Sequence, residues 1–124
     1  MDLYDKIIKE KIFSVKETEE AFDYLVDNHY VAYIDWKLDF EDVVYNLNLL
    51  LHKLGYEQLE LHDNDDLLGE EAIEYIAKYI NNDNWECISI DVDTDGLYIG
   101  IVNLEHIQEL EKSVQQLGYK IYRY

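Results

Sequence analysis

Asp91, Asp93 and Asp95, followed by Gly96 in DVDTDGLYIGIV, set three carboxylates at alternate positions in the opening pattern of a calcium loop. Carboxylates so spaced ligate hard cations through oxygen. A loop of the EF-hand type lies between two helices and closes with a bidentate Glu at its twelfth position. Here that position is Val102, and both flanks alternate like strands. A β-hairpin accounts for the stretch instead. With Asp95-Gly96 as a two-residue turn, Thr94 pairs with Leu97, Val92 with Ile99 and Ile90 with Ile101, which gathers apolar side chains on one face. Asp91, Asp93 and Asp95 then stand at a turn, where acids are solvated or hold a weakly bound cation.

Other chemistry finds little footing. An apolar strand running into D-x-D also opens the first motif of haloacid-dehalogenase-type phosphatases, but those need a Thr where Leu97 stands. There is no glycine-rich phosphate loop, no G-x-S-x-G and no H-E-x-x-H. Cys87 is the only cysteine; ECISI marks it as a small buried side chain. His29, His52, His62 and His106 share no spacing, although His62 in LHDNDD lies among acids that favour its protonated form. No catalytic residue, metal site or cofactor follows from these residues.

The surrounding elements belong to one domain, 1–124, free of proline and of any Gly/Ser linker. Phe40, Val43, Val44, Leu47, Leu50, Leu51 and Leu54 recur at steps of three and four, a helix capped by Asp39 and stopped by Gly55. Ser14 and Glu17 read as a capping box for a helix through Phe22 and Leu25. GEEAIEYIAKYI and a run from Asn103 to Leu117 give two more, and the first dozen residues a fifth. YVAYIDW, YEQLEL, WECISIDV, LYIGIV and YKIYRY read as strands. The alternation predicts an α/β (α+β) fold: a single-layer, mixed five-stranded sheet, largely parallel, with one hairpin and four to five helices.

If the first three strands are parallel, their carboxyl ends share one edge. IDWKLD brings Asp35, Trp36 and Asp39 there, LHDNDD brings Asp63, Asp65 and Asp66, and the hairpin brings Asp93 and Asp95 with Tyr98 nearby. In open α/β sheets ligands bind at that edge. Charge says which kind. Twenty-eight acids face ten bases, a formal net of −18, and Lys78 is the single base between Leu54 and Glu111. Such a field repels nucleic acid and anionic membranes and attracts a basic protein. Twelve tyrosines and two tryptophans supply anchors of the kind enriched at interfaces. The expected partner-binding set is Asp35, Trp36, Asp63, Asp65, Asp66, Asp93, Asp95 and Tyr98. No apolar run reaches the roughly 20 residues of a membrane helix. The N-terminus lacks a secretory apolar block, and a cytoplasmic, non-enzymatic binding protein is the expectation.

AYIDWK running into an amphipathic helix, CISIDVDTDGLYIGIV as a hairpin and a closing LGYKIYRY are features in which residues 30–124 resemble small acidic immunity proteins of bacterial polymorphic-toxin systems. The resemblance implies neutralising a cognate toxin, such as a nuclease, in the cytoplasm, and it transfers no catalytic residue. Two other classes compete. A DNA-mimicking anti-defence protein would spread its acids at phosphate-like spacing, and a small metal-dependent enzyme would need a concave pocket with perturbed carboxylates. YKIYRY as an open edge strand would allow pairing with a second copy.

Overall fold

The computed structural model describes residues 2–61 and 66–124. Four strands form one sheet: β1 (Ala32–Asp35), β2 (Trp85–Asp91), β3 (Gly96–Asn103) and β4 (Lys120–Arg123), in the order β1-β3-β2-β4. A π-helical turn (Asp5–Lys9) and five α-helices surround it: α1 (Ile12–Val15), α2 (Thr18–Asp27), α3 (Phe40–Lys53), α4 (Gly69–Ile80) and α5 (Ile107–Gln116).

Each element follows from local chemistry. The Asp39 carboxylate accepts the Asp42 N–H at 2.9 Å, which caps α3, and Gly55 at φ +79° ends it in the left-handed region. The predicted stripe from Phe40 to Leu51 is buried, with Leu54 half-buried beyond the end of α3, together with Ala72, Ile73, Ile76, Ala77 and Ile80 of α4, against Ala32, Ile34, Cys87, Ile99 and Ile101 on one face of the sheet. The other face, through Ile88, Ile90 and Val102, packs under the N-terminal segment, α2 and α5, with Phe22, Leu25, Leu110 and Val114 at its centre. Two helical layers therefore enclose the sheet, and both faces of its central strands are apolar.

That enclosure explains where the sequence pattern misleads. The predicted mixed, largely parallel five-stranded sheet is antiparallel in every pair, and among the described residues it has four strands. The helices do join strands that run the same way, β1 to β2 through α3 and α4, and β3 to β4 through α5. Each crossover skips one position, and an antiparallel neighbour fills it. YEQLEL is no strand: Leu59 gives its N–H to Asn48 Oδ1 (2.7 Å) and its carbonyl accepts Asn48 Nδ2 (3.0 Å), so one side chain of α3 does the work of a neighbouring strand. The capping box is absent as well. Ser14 lies inside α1, and Glu17, the residue before α2, makes no capping hydrogen bond through its side chain.

The hairpin forms in a different register. Ile90 faces Tyr98, Ser89 faces Ile99 and Cys87 faces Ile101, and the loop comprises Val92, Asp93, Thr94 and Asp95. Asp91 Oδ1 accepts the Asp93 N–H at 2.9 Å, Asp93 takes φ +62°, and Thr94 Oγ1 donates to the Gly96 carbonyl at 3.0 Å. Gly96 is a strand residue rather than a turn residue. A Cβ there would stand 2.5 Å from the Ile34 carbonyl oxygen and 2.8 Å from the Tyr33 ring. Alternation fixes register only where one face is buried and the other wet. Here neither face is wet, so the apolar pattern suits more than one pairing.

Candidate functional site

Because β1 and β2 both run opposite to β3 between them, their C-terminal ends meet at the same end of the sheet. Trp36 follows β1, and the hairpin loop follows β2. The N-terminus of α4 joins them: Leu68 bridges to Asp39, the Gly69 N–H donates to the Leu38 carbonyl at 2.9 Å, and Gly69 at φ +49° presses against the Trp36 backbone, which a Cβ would meet at 2.5 Å. The start of α4 is thus held beside the turn that follows β1. Asp66, exposed, leads into this contact. His62, Asp63 and Asp65 lie outside the described residues.

Between these segments opens a groove of about 380 Å³. Trp36 and Tyr122 supply its aromatic surface, Glu70, Asp91 and Asp95 its acids, and Ile34, Thr94, Gly96 and Leu97 complete the lining. Trp36 is 59% exposed, far from the burial usual for a tryptophan. The ion pairs among the described residues are Lys6–Glu10, Lys9–Asp5 and Arg123–Glu86, none of them at a groove acid. Two bases do stand close. Lys37 Nζ lies 4.8 Å from the centre of the Trp36 ring, and Lys120 faces Asp91 across the β2–β4 ladder.

Not every expected residue joins the groove. Asp35 spends its Oδ1 on the Lys37 N–H (2.9 Å) and holds the turn after β1. Asp93 is exposed at the hairpin tip. Tyr98 lies on the opposite face of the sheet, stacked on Phe22 at 4.3 Å and against Tyr33 at 5.0 Å; burial first, then Tyr33, Asp23 and Glu19, raise its pKa. It borders a separate depression with Asp23, Asp27 and Thr94. Glu70 and Tyr122, outside the expected set, belong to the groove. Tyr122 was recoverable from strand alternation in β4; Glu70 sits in the first turn of α4, where an acid is also explained by the helix dipole.

As to chemistry, no three described His, Cys, Asp or Glu side chains come together as a metal site. Burial pushes the Cys87 thiol up to about 12, with Glu86 adding to it, so the sulfur is held in its inert form. His29 and His52 are exposed, and His106 stacks on Tyr4 at 3.9 Å, with Nδ1 buried and unpartnered. What the groove offers is exposed ring surface beside carboxylates, which suits a Lys or Arg side chain.

A four-stranded antiparallel sheet enclosed by two helical layers, with an acidic aromatic groove at its hairpin end, defines the class of domain. The chain belongs to the family described as a domain of unknown function (DUF6630), whose model matches residues 3–124. No curated protein and no solved structure matches it. No helix among the described residues is long and apolar enough to cross a membrane.

Proposed function

We propose that this is a binding protein for a basic protein partner, an immunity or inhibitor protein that occupies a phosphate-binding cleft such as that of a nuclease toxin. One observation carries the reading: exposed Trp36 and Tyr122 flank Glu70, Asp91 and Asp95, and no ion pair among the described residues engages those acids. Steering by the net charge of −18 raises the association rate, and desolvated pairs in the groove slow dissociation. Asp93 at the hairpin tip, with Asp66 on the approach to α4, extends the acidic surface, and the reading places the complex in the cytoplasm.

The test is capture from lysate of the native host. Immobilised protein should retain a basic protein at about 0.05 M salt and release most of it at about 0.5 M, where screening shortens charge interactions to a few ångströms. Asp95→Asn with Glu70→Gln should weaken capture at least tenfold, by the loss of about 1.4 kcal/mol or more. Capture that is indifferent to both salt and these substitutions sinks the reading. A captured protein that normally binds DNA would favour a DNA-mimicking role.

A further inference from the structure

At the opposite end of the sheet, the segment after α3 and the C-terminus of α4 border a half-open cavity of about 280 Å³, just below the range of ligand pockets, about 300 to 1,000 Å³. Three rings line it. Tyr56 and Trp85 meet nearly at right angles (73°, centroids 5.2 Å apart), and Tyr79 contributes a third. Glu57 also lines it, and no base among the described residues does.

The rings are held by their surroundings. Gly55 turns the chain out of α3, the Tyr56 N–H donates to the Leu51 carbonyl at 2.9 Å, and Asn48 clamps Leu59 at both its backbone groups. Asn82 Oδ1 accepts the N–H groups of Asn84 (2.7 Å) and Trp85 (2.8 Å), which fixes the start of β2. Tyr79 Oη lies 3.4 Å from Tyr75 Oη on the next turn of α4. Even so, Tyr79 is 52% and Tyr56 40% exposed.

The rest of the molecule shows what such rings usually meet. Six lysines stand over aromatic faces: Lys6, Lys9, Lys16, Lys37, Lys53 and Lys78, on Tyr24, Tyr30, Tyr4, Trp36 and Tyr75. Among the described residues no lysine stands over Tyr56, Tyr79 or Trp85. We propose that this cavity is an aromatic cage for an alkylated ammonium group, with Tyr56, Tyr79 and Trp85 as walls and Glu57 as the counter-charge. A quaternary ammonium keeps its charge while shedding water easily, so ring faces and one carboxylate satisfy it without hydrogen-bond donors or acceptors. The volume of the cavity, about 280 Å³, admits such a head group, and its open side leaves whatever carries the head group in solvent. The inference is independent of the groove at the hairpin end.

The two tryptophans lie at opposite ends of the sheet, so their indole N–H signals in a ¹H–¹⁵N spectrum of the intact protein act as probe and control. Choline should shift the Trp85 signal to saturation and leave Trp36 in place. The neutral isostere 3,3-dimethylbutan-1-ol should bind at least about tenfold more weakly, the discrimination that loss of cation–π attraction to two or three rings implies. Tyr79→Leu and Glu57→Gln, both at exposed positions, should each weaken choline about threefold or more. A peptide bearing trimethyl-lysine separates the sources: tighter binding than choline indicates a modified protein, weaker binding a small metabolite or lipid head group. Equal affinity for choline and its neutral isostere would overturn the proposal, as would failure of both choline and the peptide to shift Trp85.

Discussion

The two ends of the sheet present aromatic rings in opposite ways. At the hairpin end, two carboxylates are already consumed by backbone turns, Asp35 at Lys37 and Asp91 at Asp93, and the exposed Trp36 carries its own lysine. At the other end, side-chain amides do the holding. Asn48 and Asn82 bind backbone on either side of the cavity, and among the described residues no lysine stands over the rings. Charge is conspicuous in sequence but partly spent on local structure, whereas the quieter amides build a shaped surface.

The largest effects should come from the hairpin-end glycines. Gly96→Ala and Gly69→Ala drive a methyl group to 2.5 Å from backbone atoms of Ile34 and Trp36, contacts that no side-chain rotation relieves. Each should cost about 2–4 kcal/mol in urea unfolding. Gly55→Ala, beside the aromatic cavity, has nothing within 4 Å of the new atom and meets only the penalty of its φ of +79°, about 1–2 kcal/mol. If Gly55→Ala proved the most damaging of the three, close packing of β1, β3 and α4 would not be what holds the hairpin end together.

Asn48→Ala should come next, at about 1–3 kcal/mol, because it strands the N–H and carbonyl of Leu59. Faster hydrogen exchange at the Leu59 amide and a shifted Trp85 signal would show that the damage is confined to the cavity end. A disturbed Trp36 signal would instead mean that the two ends respond together.

How much of this was legible follows the same division. The α3 stripe, the Asp39 cap, the Gly55 stop and the existence of a hairpin at Asp91–Gly96 are local, and local pattern suffices for them. Strand direction is not local: a β-α-β order leaves open whether an antiparallel strand fills the gap, and here β3 does. Trp36 meets the hairpin because β1 and β2 run in the same direction although β3 lies between them, so parallel adjacency is not needed for the meeting. Tyr98 was misplaced because the register was off, which turned it to the other face. The cavity rings Tyr56, Tyr79 and Trp85 come from three different elements, the segment after α3, the end of α4 and the start of β2, and no helical or strand period links them.

A smaller effect is expected at Asp5, an acid used for local structure. Its carboxylate accepts the Asp2 N–H at 3.1 Å and pairs with Lys9 at 3.0 Å, and these, in that order, hold its pKa below the ordinary 3.8. A depressed folded value means that the stabilisation is fully present above the unfolded value and is lost as pH falls through the folded one. Asp5→Asn should therefore cost up to about 1 kcal/mol at pH 7, and the gap to the wild type should close only below pH 3.8. A gap that persists unchanged to lower pH would mean that the loss lies in geometry that Asn does not reproduce and that the charge contributes nothing.

The smallest effect on stability, and the most telling contrast with Asp5, should come from Asp93→Asn with Asp95→Asn. Neither side chain packs in the core, and among the described residues neither carboxylate engages a base or a backbone N–H. Asn tolerates the left-handed region as well as Asp does, so the φ of +62° at position 93 adds no strain. Removing two charges from a chain of net −18 relieves repulsion, so stability should stay within about 0.5 kcal/mol of the wild type and lean upward. Raising salt to about 0.5 M should lift the melting temperature of both proteins, since screening then acts within roughly 4 Å, and should lift the wild type more. A loss above about 1 kcal/mol would show these acids to be bound up in the turn, as Asp91 is. An unchanged fold together with slower association to a basic partner would leave them as surface kept for binding.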